Sequence, residues 1–376
     1  MLVTRARLHE RAKFINTMFI FEETCKFVPH VGKATLQNKT DLHTLWVLQK
    51  HVCDESMVCM RKKMIASRCG ICSSPRATIV RKRLRYNIKR NVLRCVKCGF
   101  VYLERPSISK RFYTGKKYRA HHGPTLGKKS SPRDLFNTYL PYQHQIHESM
   151  GGLLKPSVSI LDVGCSAGHF LHSLKGKVKK RVGLELSRDE VSFIRKNLDF
   201  RVYDKPIEHA DIAEGPFDIV TALQVLEHVE DPVGFLKNIR KHLKKNGTLY
   251  LELPNIDDVL LTQYRIRGYE DFYYREPHLS YFSKETLRRA LAKAGFSGTI
   301  RTVQRYTLLN HIHWITAQAP LSSFELGMNA QIIKHAKGKE ARQLNTFIKD
   351  ADRKYRDLVG KLGLGESLVF VGKKRL

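Results

Sequence analysis

The chain is 376 residues long and 42% hydrophobic, with 67 Lys and Arg against 35 Asp and Glu and a formal charge of +32. That length allows two domains with their own cores, the apolar fraction is ordinary for soluble protein, and no apolar run is long enough to cross a membrane. The early apolar patch Phe14 to Phe21 is broken by Asn16 and Thr17 and lacks a small-residue cleavage site, which argues against a signal peptide and leaves a cytoplasmic chain with reduced thiols as the expectation.

In chain order, residues 1–63 say least. Leu42, Leu45, Trp46, Leu48 and Val52 fit one side of a short helix, and Cys25, Cys53 and Cys59 lack paired ligand spacing. Met57, Met60 and Met64 all precede the first recognisable module, so 1–63 reads as an extension of unknown role. The charge is concentrated after it. Residues 69–132 hold seventeen Lys and Arg against the single acid Glu104, half the excess charge in one sixth of the chain. Such a block attracts phosphate, on a nucleic acid, a nucleotide-linked substrate or a membrane surface; a solvated basic face is the plain alternative.

The first module spans 64–104. Cys69-Gly70-Ile71-Cys72 and Cys95-Val96-Lys97-Cys98 are two Cys-x-x-Cys pairs 22 residues apart. Four thiolates so spaced can converge tetrahedrally on a structural zinc ion, with an exposed hairpin between the pairs and a strand over Phe100 to Leu103. Residues 105–133 then form a basic linker whose aromatics, Tyr113 and Tyr118 among them, are candidates to cover an active site. Asp134 to Leu154 has helical spacing that Pro141 kinks or splits.

The central stretch is Val158 to Glu185. A buried strand runs into the small-residue turn Asp162-Val163-Gly164-Cys165-Ser166-Ala167-Gly168, a helix follows, and a second strand ends on Glu185, 21 residues after Gly164. A nucleoside-bearing cofactor needs such a layout, because small residues admit the ligand to backbone N–H groups and the acid accepts both ribose hydroxyls. Ser166 and His169 stand where a dinucleotide fingerprint requires glycine; the Asp-x-Gly-x-Ser-x-Gly order instead resembles the first motif of class I S-adenosylmethionine (SAM) methyltransferases, which implies SAM over a nicotinamide dinucleotide.

Helix and strand keep alternating: a helix from Ser187 to Leu198, strands at Arg201–Tyr203 and Phe217–Leu223, a helix from Pro232 to Leu243 ended by Asn246-Gly247, and a strand over Thr248–Leu253. Ligands of open α/β sheets bind outside the carboxyl ends of strands, where Gly164–Gly168, Glu185, Gln224–His228 and Pro254-Asn255 fall together. A helix from Ser283 to Gly295, a strand over Thr299–Val303, a helical insertion over 308–364 and a last strand, Ser367 to Gly372, complete the 134–376 domain.

The runs Val225-Leu226-Glu227-His228-Val229-Glu230-Asp231-Pro232, Leu253-Pro254-Asn255 and Glu276-Pro277-His278-Leu279-Ser280-Tyr281-Phe282-Ser283 resemble class I SAM-dependent methyltransferases of sugar and polysaccharide pathways. With the four-cysteine module in front, the chain is similar to deoxysugar C-methyltransferases. The resemblance implies an α/β fold with a Rossmann-like seven-stranded sheet whose last strand is antiparallel. It implies Asp162, Gly164, Ser166, Gly168, Glu185, Leu186, Ile207 and Gln224 around SAM, with Asp204 or Glu208 as the adenine-side acid. His228 is the implied base, assisted by Glu227, and Tyr113, Tyr118, Asn255, His278 and Tyr281 face the acceptor. The acceptor implied is a sugar-type small molecule, methylated at carbon or oxygen. An RNA methyltransferase holding its substrate on the basic module is the second reading, and a non-catalytic module that keeps the fold is the third.

Overall fold

A computed structural model describes residues 68–104, 130–333 and 335–375, all within one compact unit, Lys63–Leu376. The extension 1–63 and most of the linker, including Tyr113 and Tyr118, lie outside the described residues.

The four-cysteine module folds as three antiparallel strands, β1 (Ala77–Arg83), β2 (Lys89–Cys95) and β3 (Val101–Leu103). After it, Ser131 caps a helix at Pro132–Tyr139 through a capping box with Asp134. Pro141 splits the helix as expected, a 3-10 turn at Leu140–Tyr142 joining it to a second at Gln143–Met150.

The main sheet contains β4 (Ser159–Val163), β5 (Lys180–Leu184), β6 (Arg201–Tyr203), β7 (Phe217–Leu223), β8 (Leu243–Pro254), β10 (Phe296–Val303) and β11 (Ser367–Lys374). Its order is β10-β11-β8-β7-β4-β5-β6; β4 to β8 run parallel and the last strand, β11, is antiparallel to both neighbours. Both faces are covered, as near-continuous apolar strands require. Leu161, Val220 and Leu251 face the helices Pro232–His242 and Lys284–Lys293 through Phe235, Ile239, Leu287 and Leu291. Their strand neighbours Ile160, Ile219 and Tyr250 face the other way, towards Met150, Phe170, Val191 and Ile194.

Two boundaries differ from the sequence reading. Asn246-Gly247 does not separate helix from strand, because Leu243 already pairs with Phe217 and β8 runs on through the turn residues. β10 begins at Phe296 rather than Thr299, since its antiparallel partner β11 extends to Lys374. Over 308–364 the chain forms helices at Leu308–Ala317, Phe324–Met328 and Lys339–Lys361.

The cysteine module shares the core of the larger sheet. A strand, β9 (Ser280–Tyr281), from the Glu276–Ser283 run, pairs with β3 and completes a four-stranded sheet β1-β2-β3-β9. One face of that sheet sends Leu93, Phe100 and Tyr102 into the core around Leu226 and Phe282, with the Phe100 and Phe282 rings 5.0 Å apart. The other face packs Val92, Val101 and Leu103 on Tyr273, Tyr274 and Leu279.

Candidate functional site

The carboxyl ends of β4, β5, β7 and β8 open into a cavity of about 740 Å³, lined also by the turn before Ile207, the helical insertion and one residue of the cysteine module. Asp162, Gly164, Ser166, Glu185, Leu186, Ile207, Gln224, Glu227, His228 and His278 all line it, so ten of the residues singled out in the sequence come together. Volumes of roughly 300–1,000 Å³ are usual for small-molecule sites, and this one has room for a cofactor with a small acceptor beside it.

The turn after β4 has its shape for steric reasons. Gly164 holds φ +76°, and a Cβ there would stand 2.6 Å from Val225 Cγ2. Gly168 holds φ +81° and abuts Phe200 and Leu198. It does not line the cavity; its part is to let the turn close on the helix below, which corrects its expected place at the cofactor. Glu185 is fixed by three backbone donors: its Oε2 accepts from Ser166 N at 2.8 Å, and its Oε1 from Leu186 N at 2.8 Å and Ser187 N at 2.9 Å. Three of the carboxylate's roughly four lone-pair sites are thus taken, and Oε2 keeps one that a ligand hydroxyl can use. Leu186 and Ile207 give the same region apolar walls. Glu208 is the acid on the cavity rim; Asp204 faces Arg195 at 3.7 Å instead.

Asp162 is 2% exposed and its Oδ1 accepts from the Thr221 hydroxyl at 2.6 Å. Burial pushes its carboxyl up to about 7, with Glu185 adding to the rise against the Thr221 hydrogen bond. A cationic ligand group beside it would return it to the ionised form.

Across the cavity, Glu227, His228 and His278 gather with their ligating atoms within 4.8 Å of one another. His228 Nδ1–H donates to the Pro277 carbonyl at 2.8 Å, which leaves the lone pair of the neutral ring on Nε2. Glu227 Oε1 is 3.7 Å from that Nε2, too long for a hydrogen bond, so Pro277 orients the ring. Burial pulls His228 down to about 4, so the ring is neutral near pH 7. Burial likewise pushes the Glu227 carboxyl up to about 8; both of its oxygens are buried without a hydrogen-bond partner. The trio has the donor set of a metal site, but Arg275 Nε–H donates to His278 Nε2 at 2.8 Å. A fixed cation already shares the cluster, which suits proton transfer better than a second cation.

Two expected acceptor residues are structural. Asn255 is 1% exposed and does not line the cavity; its amide donates to the Gly365 carbonyl at 2.8 Å and accepts from Asp257 N at 3.0 Å, fastening the end of the insertion to β8. Tyr281 is buried among Tyr273 and Tyr274, with its hydroxyl accepting from Arg275 N at 3.0 Å. The cavity also has residues that sequence reasoning missed: Arg85, Tyr139, Phe272, Arg275, Arg305, Tyr306, Trp314 and Phe324. Nothing in the basic run around Arg85 distinguishes it from its neighbours.

Away from the cavity, the four cysteines converge with ligating atoms within 4.8 Å of one another, Cys69 Sγ to Cys98 Sγ being 3.5 Å and Cys72 Sγ to Cys95 Sγ 3.4 Å. All four are free thiols at separations close to those of a tetrahedral thiolate site, and the donor set fits zinc.

A family described as a methyltransferase domain matches residues 133–299. The ubiquinone biosynthesis O-methyltransferase of Sodalis glossinidius (strain morsitans) is 27% identical over 135 residues, 32% of this chain and 53% of that protein. The tRNA U34 carboxymethyltransferase of Sulfurovum sp. (strain NBC37-1) is 34% identical over 104 residues, 26% of this chain and 34% of that protein. The chain thus spans less than two thirds of the length of either relative. The crystal structure of a SAM dependent methyltransferase from Archaeoglobus fulgidus is similar at 20% identity and a TM-score of 0.40, over 64% of this chain and 96% of that one. The family match and the seven-stranded sheet with its antiparallel last strand identify residues 133–299 as the greater part of a class I SAM-dependent methyltransferase domain.

Proposed function

We propose that the chain transfers the methyl group of SAM to a small-molecule acceptor, with His228 taking the acceptor's proton. The observation that carries this reading is that the turn Asp162–Ser166 and Glu185 on one side, and Glu227, His228 and His278 on the other, line one cavity. When bound, SAM supplies a methyl already activated on sulfur. The chain then has to orient two ligands, exclude water and accept a proton. Glu185 holds the ribose, Leu186 and Ile207 flank the adenine, and Asp162 with the Gly164 backbone receives the methionine end. His228, neutral and oriented by Pro277, accepts the proton at Nε2 as the new bond forms. Zinc on Cys69, Cys72, Cys95 and Cys98 is structural, since four protein thiolates leave no open position.

For the acceptor, the Val225–Pro232 and Glu276–Ser283 runs support a sugar or nucleotide-sugar, methylated at carbon or oxygen. The name of the Sodalis relative adds support for oxygen. Isothermal titration with SAM and a SAM-turnover assay on a panel of such acceptors test the proposal. His228→Ala is expected to keep SAM affinity within about twofold and to lose about 10²–10⁴-fold in turnover. Turnover unchanged in that variant removes His228 as the base.

A second reading, RNA methylation, is favoured by the basic block at 69–132 and by the name of the Sulfurovum relative. Part of that charge is used internally, Arg81 pairing with Glu270 at 3.2 Å and with Asp271. RNA affinity that falls steeply with salt, together with methylation of unmodified RNA, would support this reading over the first.

A further inference from the structure

The turn between β1 and β2, Arg85–Asn87, delivers the Arg85 side chain from the cysteine module into the methyltransferase cavity. Arg85 is 7% exposed, and its backbone N–H is held by the Tyr274 carbonyl at 2.6 Å. Its guanidinium lies over the Phe272 ring, 3.9 Å from the centroid, and 4.8 Å from that of Tyr86. A buried cation normally has a carboxylate beside it. Two other arginines of this region do: Arg305 Nε–H donates to Glu252 at 2.6 Å, and Arg81 pairs with Glu270. Among the described residues, no carboxylate stands within ion-pair distance of Arg85 or Arg275.

Arg275, a partly buried second cation, lines the same cavity and donates to His278. The two arginines feel each other: burial lowers the pKa of Arg85, Tyr86 opposes the fall, and Arg275 adds to it. Arg275 also acts on Glu227 and His228, so its charge reaches the proposed base cluster. Glu227 does not offset this charge near neutral pH, because its buried carboxyl is held protonated up to about 8. The cavity thus presents two guanidinium groups, one backed by an aromatic face.

We propose that Arg85 and Arg275 together bind an anionic group, a phosphate or a carboxylate, on the methyl acceptor, and so restrict this site to anionic small molecules. The proposal rests on the methyltransferase reading and deepens it. Guanidinium groups pair bidentately with both kinds of anion, and the Phe272 face keeps the Arg85 fork pre-organised. An acceptor anchored there lies beside the base cluster, because Arg275 Nε–H is 2.8 Å from His278 Nε2. Arg85 sits inside a cavity and not on the outer basic surface, which favours a small ligand over the backbone of a folded RNA.

The test is calorimetric titration of the full-length, zinc-loaded chain with inorganic phosphate, pyrophosphate and benzoate at constant ionic strength, with glucose as a neutral control. Each titration is run with and without saturating S-adenosylhomocysteine. The expected result is saturable binding of at least one anion and none of glucose. Arg85→Gln and Arg275→Gln should each weaken that anion by about tenfold or more, roughly 1.4 kcal/mol, and Arg85→Lys should restore part of the loss. Pyrophosphate binding above benzoate assigns a phosphate, and the reverse order a carboxylate. The proposal is overturned if no anion binds the wild type, or if both glutamine variants bind the anions as tightly as the wild type. If far-UV circular dichroism or zinc content shows Arg85→Gln to be misfolded, Arg275→Gln decides. Absence of S-adenosylhomocysteine binding would count against the methyl-donor reading, while the titrations without it still decide the anion site.

Discussion

Two buried carboxyls set the pH behaviour of the site in opposite ways. Glu227 has its pKa raised to about 8 by burial, so the folded chain holds a proton there that the unfolded chain releases at the ordinary carboxylate pKa. Stability from this residue is therefore fully present at acid pH and lost as pH climbs towards 8, by up to about 1.4 kcal/mol per pH unit. Glu227→Gln, which copies the protonated form, should gain on the wild type as pH rises from 5 to 8; urea unfolding at several pH values measures the gap, and a constant gap contradicts the assignment. Asp162, raised to about 7, must ionise to receive a cation. SAM affinity should therefore rise from pH 6 to 8, approaching about tenfold per unit at the acid end. Asp162→Asn should bind more weakly and flatten the profile. Which residues matter at this scale was legible only where a motif fixed the backbone. Gly164 and Glu185 follow consecutive strands of one β-α-β unit and could be read, whereas the partners of Asn255, at Gly363 and Gly365, are more than a hundred positions away in sequence.

At the scale of elements, the central strands β4 and β7 were readable because they are buried on both faces and carry apolar pairs, Ile160-Leu161 and Ile219-Val220. β9 was not. Two residues carry no periodicity, and Ser280–Tyr281 becomes a strand only because β3 lies beside it. The same pairing explains why Tyr281 is core and not an acceptor contact. It also ties the cysteine cluster to the site, since β9 follows His278 directly. Cys98→Ser, or removal of zinc by a chelator, is expected to lower the melting temperature and to reduce turnover more than SAM affinity. Structural zinc is worth on the order of 10 kcal/mol in small zinc-finger peptides, and less is expected here because Leu93, Phe100 and Tyr102 also hold the module in place. Turnover and melting temperature both untouched by zinc removal would show the metal to be dispensable.

For the molecule as a whole, residues Lys63–Leu376 hold together as one compact unit, so a chain begun at Met64 should fold, keep SAM affinity within about twofold and unfold in a single transition. Soluble expression followed by calorimetry measures this; loss of folding would give the first 63 residues a structural role. The fold class was open to sequence reasoning because alternating helices and strands allow few arrangements. The fusion of the cysteine module with the larger sheet was hidden, because it depends on aromatic contacts such as Phe100 with Phe282 that no local pattern announces.

That fusion divides labour along the chain. The donor half of the cavity comes from the β4 and β5 loops, while part of the opposite wall is contributed by a three-residue turn from a different supersecondary unit. If Arg85 anchors the acceptor as proposed, acceptor choice can drift by changes around it while the loops proposed to hold SAM stay unchanged. Chains sharing this layout should diverge fastest in what they modify and slowest in what they modify it with.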